Sequence, residues 1–198
     1  MERFLRLLAF VLCLMPFVWV AWAVIAGRLG PDPAEALMHV TGEWSLRMLA
    51  LTLLISPLRA WTGWTQLMKL RRKLGLFAFF YACVHFISFL QFYTGWVSAA
   101  LIEELSERPY IALGFGALML MLPLAITSTR GMQRRLRGSW QRLHRLVYPA
   151  AVLACLHLLW QARSDVGEAL AYIMVFVVLL AWRVQRYTLR RKKVVAGT

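Results

Sequence analysis

The feature that most constrains this chain is its division into long apolar runs parted by short charged stretches. A helix rises about 1.5 Å per residue, so about 20 consecutive apolar residues cross the hydrocarbon of a bilayer. Six candidate spans are visible, at about 4–26, 44–58, 74–93, 110–126, 146–160 and 169–182. Several are shorter than that length, and flanking aromatic and snorkelling arginine side chains can extend them. With 61% hydrophobic and only 16% charged residues, the chain departs from a soluble domain, which carries roughly 25% charged residues. The predicted fold is all-α, a polytopic membrane bundle of about six transmembrane helices. It uses residues 1–198 as one domain, since no stretch is long enough for a separate soluble one.

Local signals refine the elements. Ala21-Trp22-Ala23 looks like a signal-peptidase site, but the apolar run before it exceeds the roughly 7–15 residues of a signal-peptide core, so the first span reads as a retained helix. Asp32 with Pro33 and Glu35 reads as a helix start, with Asp32 as N-cap. Ser56-Pro57 reads as the stop of the second span.

Charge sets the orientation. With six spans, one side of the membrane holds the N-terminus, the 59–73 and 130–145 loops and the tail. That side carries 19 of the 23 Lys and Arg residues and one acid, Glu2. The other side holds Arg28, Arg47, Arg108 and Arg163 with the remaining acids. The positive-inside rule then predicts an inner-membrane protein with both termini cytoplasmic. The same rule accounts for the net charge of +14 without nucleic acid, because the basic residues lie between apolar spans. The tail from Arg190 to Lys193 reads as an anchor for lipid headgroups. Cys13, Cys83 and Cys155 all lie in apolar runs, which fits small packing residues and not a disulfide framework.

Four histidines carry the chemistry: His39, His85, His144 and His157. Ionisable groups inside spans are costly and face the protein interior. His85 lies 12 residues beyond Lys73, and His157 lies 12 beyond Arg145. Both are then about 18 Å from the cytoplasmic edge, level and past the midplane. Two level imidazoles on two helices can hold one haem iron, and His85 and His157 are the predicted ligands. Aromatic residues surround them, including Phe79, Phe80, Phe86, Phe89 and Trp160. An ungapped shift of 72 residues lays His85 on His157 and repeats Ala-Cys-x-His in both spans. A pseudo-repeat and a chance likeness of apolar runs are both open readings. On a helix the Cys and His of that motif point about 200° apart, so neither cysteine shares its histidine's metal.

His144 lies at the cytoplasmic end of the fifth span, and its counterpart under the shift is Arg72. Its open readings are a second-haem ligand, a propionate cap, a flavin contact, or a place at the headgroup interface. His39, Glu43 and Arg47 recur every fourth residue and share one helix face. They read either as an interfacial salt-bridge stripe or as quinone or propionate contacts.

Ordered motifs then point to a family. Arg71-Arg72-Lys73-Leu74-Gly75-Leu76 precedes His85, and Arg108-Pro109-Tyr110 precedes Leu113-Gly114. Thr127-Ser128-Thr129 and Met132-Gln133-Arg134 lead into Trp140-Gln141-Arg142-Leu143-His144-Arg145-Leu146-Val147-Tyr148 and His157. As a set these resemble the MsrQ (YedZ) family, within the wider ferric-reductase-like transmembrane group. The resemblance covers nearly the whole chain. It implies b-type haem and FMN as cofactors, with His85, His144 and His157 on the family's haem-associated histidines. It also implies electrons drawn from quinone and passed to a periplasmic molybdopterin methionine sulfoxide reductase, MsrP. Sulfoxide reduction in oxidised envelope proteins would then belong to that partner, and this chain would be an electron-transfer subunit. The wider group uses two histidines on each of two helices, whereas this sequence has one on its third span.

Rival classes make different demands. A transporter would place carboxylates or broken helices along a path, yet apart from Glu43 the acids lie in loops. A haem-free anchor would need no level histidine pair. A transmembrane ferric reductase would carry or recruit a nicotinamide-binding domain, and none is fused here.

Overall fold

The start of the second helix follows from Asp32, whose carboxylate accepts a hydrogen bond from the Glu35 backbone N–H at 2.9 Å. Pro33 occupies the first turn, where no N–H is needed. The computed structural model describes residues 2–162 and 166–195. Arg163 and Asp165, two of the charges expected on the outer side, lie outside the described residues, as do the side chains of Arg3, Arg6 and Arg190 to Lys193. The helices are α1 (Glu2–Ile25), α2 (Pro33–Thr62), α3 (Leu67–Phe89), α4 (Ser98–Glu107), α5 (Pro109–Ile126), α6 (Arg130–Leu136), α7 (Gly138–Leu143), α8 (Val147–Gln161) and α9 (Val166–Val195). A π-helical turn, Leu90–Thr94, prolongs α3, and a 3-10 turn, His144–Leu146, leads into α8.

α2 is the main departure from the expected 44–58 span. It runs through Pro57 and ends at Gly63, whose φ of 74° closes the helix with an N–H to the Arg59 carbonyl. Pro57 has no N–H to offer the Leu53 carbonyl one turn back. The Arg183 guanidinium, on α9, donates to that carbonyl instead, and also to the Leu179 carbonyl at 3.0 Å. A distant side chain thus satisfies the acceptor that proline leaves bare, and the helix continues. α1 shows a related device beside Pro16. The Tyr81 hydroxyl, 1% exposed, donates to the Cys13 carbonyl at 2.7 Å and accepts from the Phe17 N–H at 3.1 Å.

Two antiparallel hairpins form the body, α2 with α3 and α5 with α8. α3 meets α5, α9 packs on α2 and α8, and α1 packs on α3. The core draws Leu49 and Leu53 from α2, Phe77 and Tyr81 from α3, Met121 from α5 and Phe176 from α9. Ala78 and Ala150 are fully buried, and the Ser45 hydroxyl donates to the Ala78 carbonyl at 3.0 Å. Small residues allow such close backbone approach between membrane helices.

Among the described residues, five helical stretches can cross a membrane by length and composition: Leu7–Ile25, Leu67–Thr94, Pro109–Ile126, Gly138–Gln161 and Val166–Leu189. The chain is therefore a multi-pass membrane protein. α2 is also long, but Glu43 and Arg47 lie in its body and make it less apolar than these five. α1 and α9 leave Leu7, Met15, Met174 and Val178 exposed, a pattern suited to lipid. Three further helices lie in stretches expected as loops. α4 occupies the outer loop, and α6 and α7 occupy the basic 130–145 segment. Thr129 caps α6 through the Met132 N–H, and the Trp140 indole donates to the Thr127 carbonyl at 3.0 Å.

Candidate cofactor site

α3 and α8 bring the imidazoles of His85 and His157 together inside the bundle. Their ring centroids are 6.2 Å apart and their planes are 81° from parallel. The His85 Nδ1–H donates to the Met38 carbonyl at 2.9 Å, and the His157 Nδ1–H donates to the Tyr110 carbonyl at 2.7 Å. A carbonyl can only accept, so Nδ1 carries the proton in each ring. In a neutral imidazole that leaves a lone pair on Nε2, the form that coordinates a metal.

The spacing fits one metal ion between the rings. Two metal–nitrogen bonds of about 2 Å, plus the distance from each nitrogen to its ring centre, sum to roughly 6 Å. Among the described residues no three His, Cys, Asp or Glu side chains converge as a metal cluster. A metal held by this pair must therefore bring its other ligands, as the iron of a macrocycle does. The surrounding cavity measures about 700 Å³, within the ~300–1,000 Å³ typical of small-molecule sites. Phe86, Leu118 and Met121 give it apolar walls, and the Tyr110 ring stacks on His157 with centroids 6.2 Å apart.

The same cavity reaches the polar stripe of α2. His39 and Glu43 line it, together with Arg108, Glu168 and Tyr172. His39 Nδ1 lies 3.0 Å from the Glu43 carboxylate. Arg47 donates to Glu43 at 2.7 Å and to the Tyr172 hydroxyl at 2.8 Å. The i, i+4, i+8 series is thus a bonded stripe, and its first two members sit at the cavity with His85 and His157. Arg47 acts through Glu43 and does not line the cavity.

His144 stands apart and does not line this cavity. Its ring stacks on Trp140 with centroids 3.9 Å apart, and its Nδ1 lies 3.2 Å from the Trp140 carbonyl. Cys13, Cys83 and Cys155 are free thiols. A second cleft, of about 560 Å³, is lined by Arg59, Arg183, Arg186, Tyr148, Trp182 and Tyr187. Arg183 lies over the Tyr148 ring and Arg186 over the Trp182 ring, at 5.7 and 5.2 Å from the centroids.

Sequence reasoning missed the two carbonyls that orient the histidines, since any residue has one. The signal was nevertheless present. Each carbonyl lies 47 residues before its histidine, so Met38 falls on Tyr110 under the shift that lays His85 on His157. The repeat is one of geometry as well as of letters.

Comparison with known proteins places these features in a family. The model for the ferric reductase like transmembrane component matches residues 41–155. A protein-methionine-sulfoxide reductase heme-binding subunit MsrQ of Xanthomonas axonopodis pv. citri is 46% identical over 84% of this chain and 76% of its own length. The protein of the same name from Rhodospirillum rubrum is 43% identical over 96% of this chain and 92% of its own length.

Proposed function

This chain belongs to the MsrQ family, within the ferric reductase like transmembrane proteins, and on that premise we propose that it holds b-type haem between His85 and His157. It passes electrons through the bilayer to a periplasmic molybdopterin methionine sulfoxide reductase of the MsrP kind, for repair of oxidised envelope proteins. The observation that carries the reading is the pair of imidazoles 6.2 Å apart, each with Nδ1 spent on a backbone carbonyl.

Haem, when bound, supplies a one-electron couple whose potential depends on ligands and burial. The protein's own groups set those conditions. His85 and His157 would hold the iron through Nε2 and leave no open position for oxygen. Met38 and Tyr110 fix the tautomer and steady both rings. Phe86, Leu118 and Met121 keep water from the apolar part of the cavity. His39 and Glu43, braced by Arg47, offer hydrogen-bonding groups for propionates or a quinone at its polar end. His144 packs on Trp140, outside this ligand pair.

The remaining parts of the proposal rest on kinship and charge. Quinone as electron source and FMN as second cofactor follow from the family resemblance. α2 is proposed as the sixth span, which puts both termini in the cytoplasm of a bacterial inner membrane by the positive-inside rule. The arginine-lined cleft would face the cytoplasmic leaflet, where lipid headgroup phosphates are a suitable partner.

A reduced-minus-oxidised absorbance spectrum of the detergent-purified chain, with haem measured against protein, tests the reading. A sharp b-type α-band with at least one haem per chain is expected. His85→Ala and His157→Ala should each remove that band, while His144→Ala keeps it. A parent chain that binds no haem, from cells able to supply it, would end the proposal.

A further inference from the structure

Two glycines lie against the paired histidines. A Cβ at Gly42, on α2, would meet the His85 ring at 3.2 Å from both Cε1 and Nδ1. A Cβ at Gly114, on α5, would meet the His157 ring at 2.9 Å from Nδ1, 3.0 Å from Cε1 and 3.1 Å from Cγ. At Gly114 something must shift to admit a Cβ, and at Gly42 the ring must give by a few tenths of an ångström. Other helical glycines of the two hairpins have ordinary room. A Cβ at Gly75 would lie 3.6 Å from Thr52, and one at Gly116 would lie 3.4 Å from a Leu153 methyl. Glycine weakens a helix relative to alanine, so its presence at Gly42 and Gly114 calls for a reason.

The geometry supplies one. Gly42 follows Met38 by four residues, and Gly114 follows Tyr110 by four, so each glycine sits one turn along the same helix face as the carbonyl that accepts from the histidine. Each imidazole of the pair is therefore held at two points on one neighbouring helix. The carbonyl fixes the Nδ1 edge, and the bare glycine backbone receives the ring itself. The device occurs twice with the same spacing, once in α2 and α3 and once in α5 and α8.

We infer that Gly42 and Gly114 are positioning residues of the haem site, each a seat that sets how far its imidazole can advance toward the other. This rests on the haem reading above. A methyl group on either seat pushes the ring off its carbonyl or toward the other imidazole, whose ring centre lies 6.2 Å away, and so changes the space left for the iron. Gly114 has the closer approach and is the stricter of the two. Sequence alone hides this role, because a glycine in an apolar helix reads equally well as a small packing residue.

Four single variants test the inference: Gly42→Ala, Gly114→Ala, and Gly75→Ala and Gly116→Ala as controls. Each is purified and measured for haem per chain, α-band position, midpoint potential and, after haem is stripped, melting temperature. Gly42→Ala and Gly114→Ala should retain haem roughly 10–100-fold less tightly, the usual cost of disturbing groups that orient a metal ligand. Any haem they keep should show a shifted band and potential, which a purely structural change would not produce. The control variants should match the parent. Without haem, Gly42→Ala and Gly114→Ala should melt below the parent despite alanine's better helix propensity, and Gly75→Ala should melt at or above it. Parent-like spectra, potentials and melting in Gly42→Ala and Gly114→Ala would overturn the seats, as would equal losses in all four variants. A haem-free parent would instead overturn the haem reading, and the stripped-protein melting would still decide the seats.

Discussion

At the scale of single residues, buried polar atoms are what this bundle manages most closely. Tyr81 and Arg183 both send side-chain donors to helix carbonyls near a proline. Tyr81→Phe removes a hydroxyl that serves two backbone groups of α1. We expect a loss of about 1–3 kcal/mol, read as a lower unfolding midpoint in detergent, because unpaired buried groups cost that much. Arg183→Leu should cost a similar amount by leaving the Leu53 carbonyl without its donor. An unchanged midpoint in either variant would show that water or another group takes over. The histidine pair was legible at this scale because depth can be counted from flanking charges. The tautomer-setting carbonyls were not, because backbone chemistry carries no residue identity.

At the scale of elements, local signals worked where no distant group intervened. The Asp32 cap formed as its sequence suggested, and Asp32→Ala should destabilise α2 by about 0.5–2 kcal/mol in the same assay. Pro57 misled because the stop it signals was overridden by Arg183, a residue on another helix. Charge density hid α6 and α7, whose arginines resemble a loop when read one by one. α4 was hidden the same way by its acids, Glu103, Glu104 and Glu107. Glu104 pairs with Arg108 at 3.2 Å, while Glu103 and Glu107 are exposed. If the redox partner docks here by charge, the double variant Glu103→Gln with Glu107→Gln should slow electron delivery at low salt and leave the high-salt rate unchanged. Stopped-flow reoxidation with the partner reads that difference. Equal rates at both salts would exclude α4 as a charged dock.

At the scale of the whole molecule, charge and symmetry organise the chain. Nineteen of 23 basic residues fall on one side if α2 crosses the membrane. Reporter fusions after Gly30 and after Thr62 should then report opposite compartments, and the same compartment for both would remove α2 from the spans. The two hairpins face one another, and each contributes one histidine, one carbonyl and one glycine. The Ala-Cys-x-His repeat was the visible trace of this arrangement. The carbonyl positions were hidden because they hold different side chains, methionine in one half and tyrosine in the other, and the glycines, although also 72 residues apart, read as small packing residues. The histidine pair between the hairpins is proposed to grip one haem iron. Near-perpendicular axial imidazoles give ferric haem a strongly anisotropic low-spin signature, and the rings here stand 81° apart. Low-temperature electron paramagnetic resonance of the oxidised, haem-loaded chain reads this directly. A strongly anisotropic low-spin signal is expected, and it should disappear in His85→Ala and in His157→Ala. A high-spin signal in the parent, or a low-spin signal that survives either substitution, would contradict the pairing.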